Sequence, residues 1–135
     1  MIRIVAAASL VYDLSAGVAL LLLRAPITGL VPPLATLLGP SPVLGDLLGL
    51  FLTAVGIGYL LPYRQPLVHR PYLWIFGVAL KTAGAAAFLL DYVMRSASPL
   101  MLLFAASDGA VAALSLVALV NDAGGNTDKL GFPRG

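Results

Sequence analysis

Long apolar segments alternate with short segments rich in proline, arginine and glycine along this chain. Four of the apolar segments, 4–23, 43–61, 72–93 and 100–120, are close to the ~20 residues that a helix needs to cross the hydrocarbon core of a bilayer. Prolines, which commonly mark helix boundaries, stand near the segment ends. These are Pro42, Pro62, Pro71 and Pro99. The pattern predicts an all-α fold, an integral membrane four-helix bundle with short loops.

The segment between the first two predicted helices is different. Residues 27–42 are apolar but are interrupted by Pro32, Pro33, Gly39 and Pro40, so they cannot form a further crossing. We expect an interfacial segment there, at the mouth of the bundle.

The chain divides into two regions by composition. After Val120 it becomes polar and rich in glycine, as mobile chain ends commonly are. We therefore predict one four-helix transmembrane domain over 1–121 and a flexible polar carboxyl-terminal tail over 122–135.

Composition supports the membrane assignment. Hydrophobic residues make up 60% of the 135 residues and charged residues only 10%, outside the usual range of soluble domains. The chain has no cysteine and a single histidine, His69, so it lacks the ligands for thiolate or histidine-based metal and haem sites. We predict neither a metal site nor a cofactor. The basic residues are scattered singly, which argues against a nucleic-acid partner.

Lysine and arginine residues are distributed unevenly between the two predicted membrane faces. One face carries Arg3, Arg64, Arg70, Lys129 and Arg134, and the other carries Arg24 and Arg95. Because short cytoplasmic segments are enriched in these residues, the bias predicts that both termini lie in the cytoplasm.

Aromatic residues agree in part with this orientation. Tyr59, Tyr63, Tyr72 and Trp74 flank the loop between the second and third segments, and Tyr92 lies near the opposite end. Tyr and Trp are enriched at membrane–water interfaces, so we expect these side chains at the level of the headgroups.

Each of the four apolar segments contains at least one ionisable residue. Asp13, Asp46 and Asp108 lie in the first, second and fourth segments, and the third contains both Lys81 and Asp91. A central Asp or Lys costs about 2.5–3.5 kcal/mol on a translocon scale. We therefore expect these groups to face the interior of the bundle and to pair with one another.

The position of each charge along its helix predicts its depth. Asp13, Lys81 and Asp108 fall near the middle of their segments, whereas Asp46 and Asp91 fall near the ends that face the non-cytoplasmic side. We predict a ligand- or proton-binding site that consists of a mid-membrane cluster of the first three residues. The two outer carboxylates would mark its entrance.

Two interpretations of this cluster are open. A lysine between two aspartates can be an ion pair that only fixes the packing of the helices, as in an accessory or structural subunit of a larger membrane complex. Alternatively, the carboxylate in excess can hold and exchange a proton, as in proton- or ion-linked binding or transport of a small molecule.

No catalytic signature is present, so an enzyme is not favoured, although acid–base chemistry on a lipid or quinone is a third interpretation. A bundle of four helices encloses little space, and a homodimer is a plausible way to form a transport path.

Several short motifs resemble those of a bacterial protein family. They are Tyr12-Asp13-Leu14 with Gly17, Gly56-Ile57-Gly58-Tyr59, His69-Arg70-Pro71 followed by Gly77 and Lys81, and Ser107-Asp108. Together they are loosely similar to the DoxX-like group of four-helix membrane proteins, in which an Asn usually stands at the place of Ser107. The resemblance spans 12–120 and implies a four-helix fold in the bacterial inner membrane. It implies no catalytic role, because the group has no settled activity.

Overall fold

The computed structural model describes residues 1–22 and 42–127. Its helices are α1 (Ile2–Leu22), α2 (Pro42–Gly58), α3 (Leu60–Arg64), α4 (Arg70–Tyr72), a π-helix (Leu73–Leu80), α5 (Lys81–Arg95) and α6 (Leu100–Thr127). Within the described residues, four helical stretches are long and apolar enough to cross a membrane. We call them the first to fourth spans: Ile2–Leu22, Val43–Arg64, Arg70–Arg95 and Leu100–Asp122. The predicted four-helix membrane bundle is confirmed.

The second span continues beyond the proline that we expected to end it. α2 ends at Gly58, four residues before Pro62, and α3 begins at Leu60, so the helix is interrupted at Tyr59 and then resumes. A proline cannot donate to the carbonyl group four residues earlier, and its ring clashes with that group. Pro62 therefore marks a break within the span, which extends to Arg64.

Two of the predicted segments lie wholly or largely outside the described residues. The interfacial segment predicted over 27–42 falls there except for Pro42, which begins α2. Of the predicted tail, residues 122–127 form the last turns of α6, and residues 128–135 are not described.

Glycines bring the first and second spans into backbone contact. A Cβ atom at Gly17 would lie 2.5 Å from the Thr53 amide nitrogen and 2.8 Å from the Gly49 carbonyl oxygen. At Gly56, a Cβ atom would lie 2.7 Å from the amide nitrogen of Leu14. Small residues at such contacts are typical of membrane helices, which associate through close van der Waals packing.

The third and fourth spans pack against each other, and the first span contacts the fourth. The middle parts of the second and third spans have few contacts with each other. These two spans meet at the end of the bundle that holds the amino terminus. There the Tyr59 and Tyr72 rings pack edge to face with 5.2 Å between centroids, and the Tyr72 hydroxyl donates to the Val55 carbonyl.

The aromatic residues at this end differ in exposure. Tyr63 and Trp74 are exposed, as expected at the headgroups, but Tyr59 is completely buried. It packs in an apolar core with Val55, Leu73 and Leu119. The enrichment of Tyr at interfaces does not predict this burial, which comes from packing of the Tyr59 ring against Tyr72 of the third span. The depth of these rings in the membrane stays a prediction.

The distribution of polarity is that of a membrane protein. Large apolar side chains such as Ile4, Leu44 and Leu103 are 63–75% exposed, whereas Asp13 and Lys81 are 0% and 4% exposed. Exposed apolar side chains of this extent suit a lipid environment. The chain is a small polytopic membrane protein with Asp13 and Lys81 buried inside it.

Gly17→Ala is expected to lower the free energy of unfolding by about 1–3 kcal/mol, the usual cost of overpacking. The added methyl group meets backbone atoms of α2, which cannot move without separating the two helices. Unfolding by a denaturing detergent in mixed micelles measures the change.

Gly109→Ala is the matched control for this substitution. A Cβ atom there would lie 3.9 Å from the Ala85 Cβ, an ordinary contact, and alanine is the better helix former by about 1 kcal/mol. We expect this variant to be as stable as the wild type or more so. Equal destabilisation by both substitutions would contradict the packing of α1 on α2.

Candidate functional site

A buried ion cluster joins the first, third and fourth spans. The Lys81 Nζ lies 2.5 Å from the Asp13 Oδ1 and 3.3 Å from the Asp108 Oδ1. The side chains of Lys81 and Asp13 are almost completely buried, and that of Asp108 is 14% exposed. The three mid-membrane charges predicted from the sequence therefore meet.

Tyr12 completes the surroundings of the lysine. The Lys81 Nζ lies 4.6 Å from the centroid of the Tyr12 ring, a cation–π distance. The ammonium group thus has a carboxylate oxygen on two sides and an aromatic face on another. Its capacity for favourable contacts is taken up within the protein.

The Tyr12 hydroxyl connects the cluster to Ser107. Its oxygen lies 2.8 Å from the Ser107 Oγ and 3.3 Å from the Asp108 Oδ1. The Ser107 hydroxyl also lies 3.0 Å from the Phe104 carbonyl oxygen. Because each hydroxyl donates one hydrogen, two arrangements are compatible with these distances. Either Ser107 donates to Phe104 and Tyr12 to Ser107, or Ser107 donates to Tyr12 and Tyr12 to Asp108.

Two glycines in the third span make room for this site. A Cβ atom at Gly84 would lie 2.7 Å from the Asp108 Oδ2, and one at Gly77 would lie 2.8 Å from the Ser115 Oγ. Both glycines are near Lys81 in sequence and share its face of the helix. The π-helix, a winding often found at functional sites, ends directly before Lys81.

The charges of the cluster do not balance. One lysine faces two carboxylates, and the charged groups that act on Asp13 within the described residues are Lys81 and Asp108. The Asp13 Oδ2 is buried and has no hydrogen-bond partner among these residues. With both carboxylates ionised, the cluster would carry one negative charge in excess.

Three more buried hydroxyl groups lie toward the amino-terminal end of the bundle. Ser9, Tyr59 and Ser115 have buried oxygens without a hydrogen-bond partner in the described part of the chain. Ser9 is one helical turn from Asp13. The Tyr59 hydroxyl interacts electrostatically with Asp13 and lies close to the Ser9 side chain. Buried polar groups usually have partners, and in proteins these are often internal waters.

On the other side of the cluster lies a largely apolar cavity of about 390 Å³. All four spans line it, with residues such as Leu20, Leu48, Phe51 and Phe88 in the walls. Asp13, Lys81 and Asp108 also line it, together with Tyr12. A mainly apolar cavity with a few converging polar groups is the usual form of a small-molecule site.

The two outer carboxylates are not part of this cluster. Asp91 pairs with Arg95 on the same helix at 2.8 Å, and the Arg95 side chain is 78% exposed. Asp46 is exposed near the start of α2. Neither residue lines the cavity, and their assignment to an entrance stays a prediction.

Sequence reasoning missed Tyr12 and Tyr59 as members of the polar interior. Tyr12 precedes Asp13 directly, so its backbone position is rotated by about 100° around the helix. It reaches the cluster because its ring is long enough to extend between the first and fourth spans.

No three His, Cys, Asp or Glu side chains are grouped as a metal site would require within residues 1–22 and 42–127.

No protein-family model matches the chain, and comparisons with curated proteins and with solved structures find no match either.

Proposed function

We propose that this protein binds a small molecule in the apolar cavity and that binding is linked to a proton on the Asp13/Lys81/Asp108 cluster. One observation carries the proposal: two carboxylates share a single lysine beside a cavity large enough for a ligand. An enzyme, an ion-pair scaffold and a binding protein could all contain buried charges. A cavity that reaches the charges favours binding.

The imbalance of charge supports the link to a proton. An uncompensated charge in a low-dielectric interior is costly, so the excess negative charge favours uptake of a positive one. A proton held by the cluster can fill this role. A cationic ligand would displace this proton, and a neutral ligand would leave it in place.

Transport would require a second arrangement of the cluster. The Lys81 ammonium group lies closer to Asp13 than to Asp108, so a shift toward Asp108 would give a second arrangement of the same three groups. Two arrangements that a ligand and a proton stabilise differently are what coupling between them requires. A homodimer would be one way to extend the cavity into a path across the membrane.

We also propose a bacterial inner membrane location with both termini in the cytoplasm. The bias of arginine and lysine supports the orientation. The motifs around Asp13, Lys81 and Asp108 support kinship with the DoxX-like group, which would imply the location. The lipid bilayer is then the first partner of this chain, and no nucleic-acid partner is proposed.

The alternative proposal is an accessory or structural subunit of a larger membrane complex, in which the charges only fix helix packing. The saturated surroundings of Lys81 favour it, since its contacts with Asp13, Asp108 and Tyr12 are those of a structural ion pair. Under this proposal the cavity would be filled by lipid.

Infrared spectroscopy of the full chain in lipid vesicles tests whether a carboxyl group of the cluster holds a proton. We expect a protonated carboxyl band that changes in intensity between acidic and alkaline buffers. Asp13→Asn or Asp108→Asn should remove or shift it, because each removes one of the two coupled carboxyl groups. Asp91→Asn, the same change in the surface pair with Arg95, should leave it in place. A wild-type spectrum without such a band would refute the proton link.

Lys81→Met is expected to lower the free energy of unfolding by about 3–5 kcal/mol, because it leaves two buried carboxylates without a cation. Arg95→Met is the control in an exposed pair and should cost less than about 1 kcal/mol. Detergent unfolding curves measure both. Similar small losses in the two variants would mean that the cluster is not the buried ion pair described above.

Native mass spectrometry after mild detergent extraction separates the two proposals. A binding protein or transporter should appear as a monomer or homodimer, whereas an accessory subunit should retain other chains. A stable complex with a different protein, kept in the Asp108→Asn variant, would favour the accessory role.

A further inference from the structure

We infer that the ligand of the cavity is a lipophilic monovalent cation, whose charged centre lies beside Asp108. This inference rests on the proposed function and names its ligand class. It follows from the charge of the cluster, the unequal access to its carboxylates, the aromatic walls of the cavity and the gap between two spans.

The charge of the cluster favours a cationic ligand. Lys81 already contacts two carboxylate oxygens and the Tyr12 ring, so an anionic ligand would have to displace one of these contacts. An anion would also add to the negative charge in excess. A single positive charge balances the cluster, with two positive and two negative charges brought together.

The two carboxylates differ in exposure, and we expect the ligand to contact Asp108. Its side chain is 14% exposed, whereas that of Asp13 is 1% exposed. Both residues line the cavity, and Asp108 offers the more accessible carboxylate to a ligand there, while Asp13 lies closer to Lys81.

The walls of the cavity suit a cation with an apolar body. Phe51, Phe88 and Phe104 line it with Tyr12, and the Phe88 and Phe104 rings lie 5.5 Å apart between centroids. Aromatic faces attract organic cations, and the attraction is stronger where water is excluded. Aliphatic residues such as Leu20, Leu48 and Leu52 make up much of the remaining wall.

The gap between the second and third spans suits a ligand that dissolves in the membrane. Leu48 and Leu52 of the second span and Leu80 of the third line the cavity. The middle parts of the two spans have few direct contacts. A lipophilic cation can reach Asp108 between them from the bilayer.

The exchange balances in charge. When the cation binds beside Asp108, the proton that neutralised the cluster leaves one of its carboxyl groups. When the cation departs, a proton returns. No covalent bond other than the O–H bond forms or breaks, and the charge of the cluster with its occupant is unchanged.

Equilibrium dialysis of the full chain in detergent micelles with two probes of the same shape tests this inference. Tetraphenylphosphonium is a lipophilic cation and tetraphenylborate is its anionic counterpart. We expect saturable binding of the phosphonium only, weakening on acidification because protons compete. Asp108→Asn should weaken it about tenfold or more, as loss of one partner from a desolvated ion pair does. Asp122→Asn, the same change at a residue that does not line the cavity, should bind like the wild type.

A second pair of variants tests the inference independently, in case Asp108→Asn does not fold. Phe88→Leu removes an aromatic face from the cavity and should weaken phosphonium binding. Phe76→Leu makes the same change outside the cavity, where Phe76 stacks on Tyr72, and should not. Circular dichroism confirms that each variant is helical.

Three results would overturn the inference: borate binding as tight as phosphonium binding, phosphonium binding insensitive to both Phe88→Leu and pH, or no phosphonium binding by the folded wild type. If the pH-dependent carboxyl band is present in such a case, the ligand class is wrong and the proton-linked site stands. If the band is absent as well, the proposed function fails with it.

Discussion

One ammonium group shared by two carboxylates inside an apolar bundle is the interaction on which the rest of this structure depends. Neither Asp13 nor Lys81 could remain buried in this bundle alone, because an unpaired charge in hydrocarbon costs several kcal/mol. Their pairing requires that the first and third spans turn particular faces toward each other. Asp108 adds the same requirement for the fourth span. The rotation of three of the four helices about their axes is therefore constrained by charge. The hydrophobic effect does not fix this rotation in a membrane, because lipid is as apolar as the helix faces.

Glycines make this arrangement sterically possible. Gly17, Gly49 and Gly56 let the first and second spans approach until their backbones touch. That contact holds the first span, and with it Asp13, against a second span that contributes no charge to the cluster. Gly84 acts differently, because the space beside it is occupied by the Asp108 carboxylate. Close packing thus positions one carboxylate through the backbone and leaves room for the other.

The sequence predicts the parts of this structure that follow from strong physical rules. The four spans follow from hydrophobic length, and the meeting of Asp13, Lys81 and Asp108 follows from the cost of burying charge at mid-depth. Tyr12 could not be predicted from helical spacing, since it enters the site through the reach of its ring rather than through its place on the helix. Tyr59 was expected at the interface because Tyr is common there, but packing against Tyr72 and Leu73 buries it. Pro62 shows that a helix-breaking residue indicates a break and does not say whether the span ends there.

The cluster divides the bundle into two unlike halves. Toward the amino terminus, Ser9, Tyr59 and Ser115 present buried hydroxyls within a packed core. Toward the other end, Asp108 opens onto an apolar cavity with aromatic walls. A purely structural ion pair needs neither the excess carboxylate nor the cavity, since a single Asp with Lys81 would fix the register. The hydroxyl side suits protons and the cavity side suits a larger ligand. Both carboxylates contact the same ammonium group, so under the proposed function a ligand beside Asp108 would act on Asp13 through Lys81.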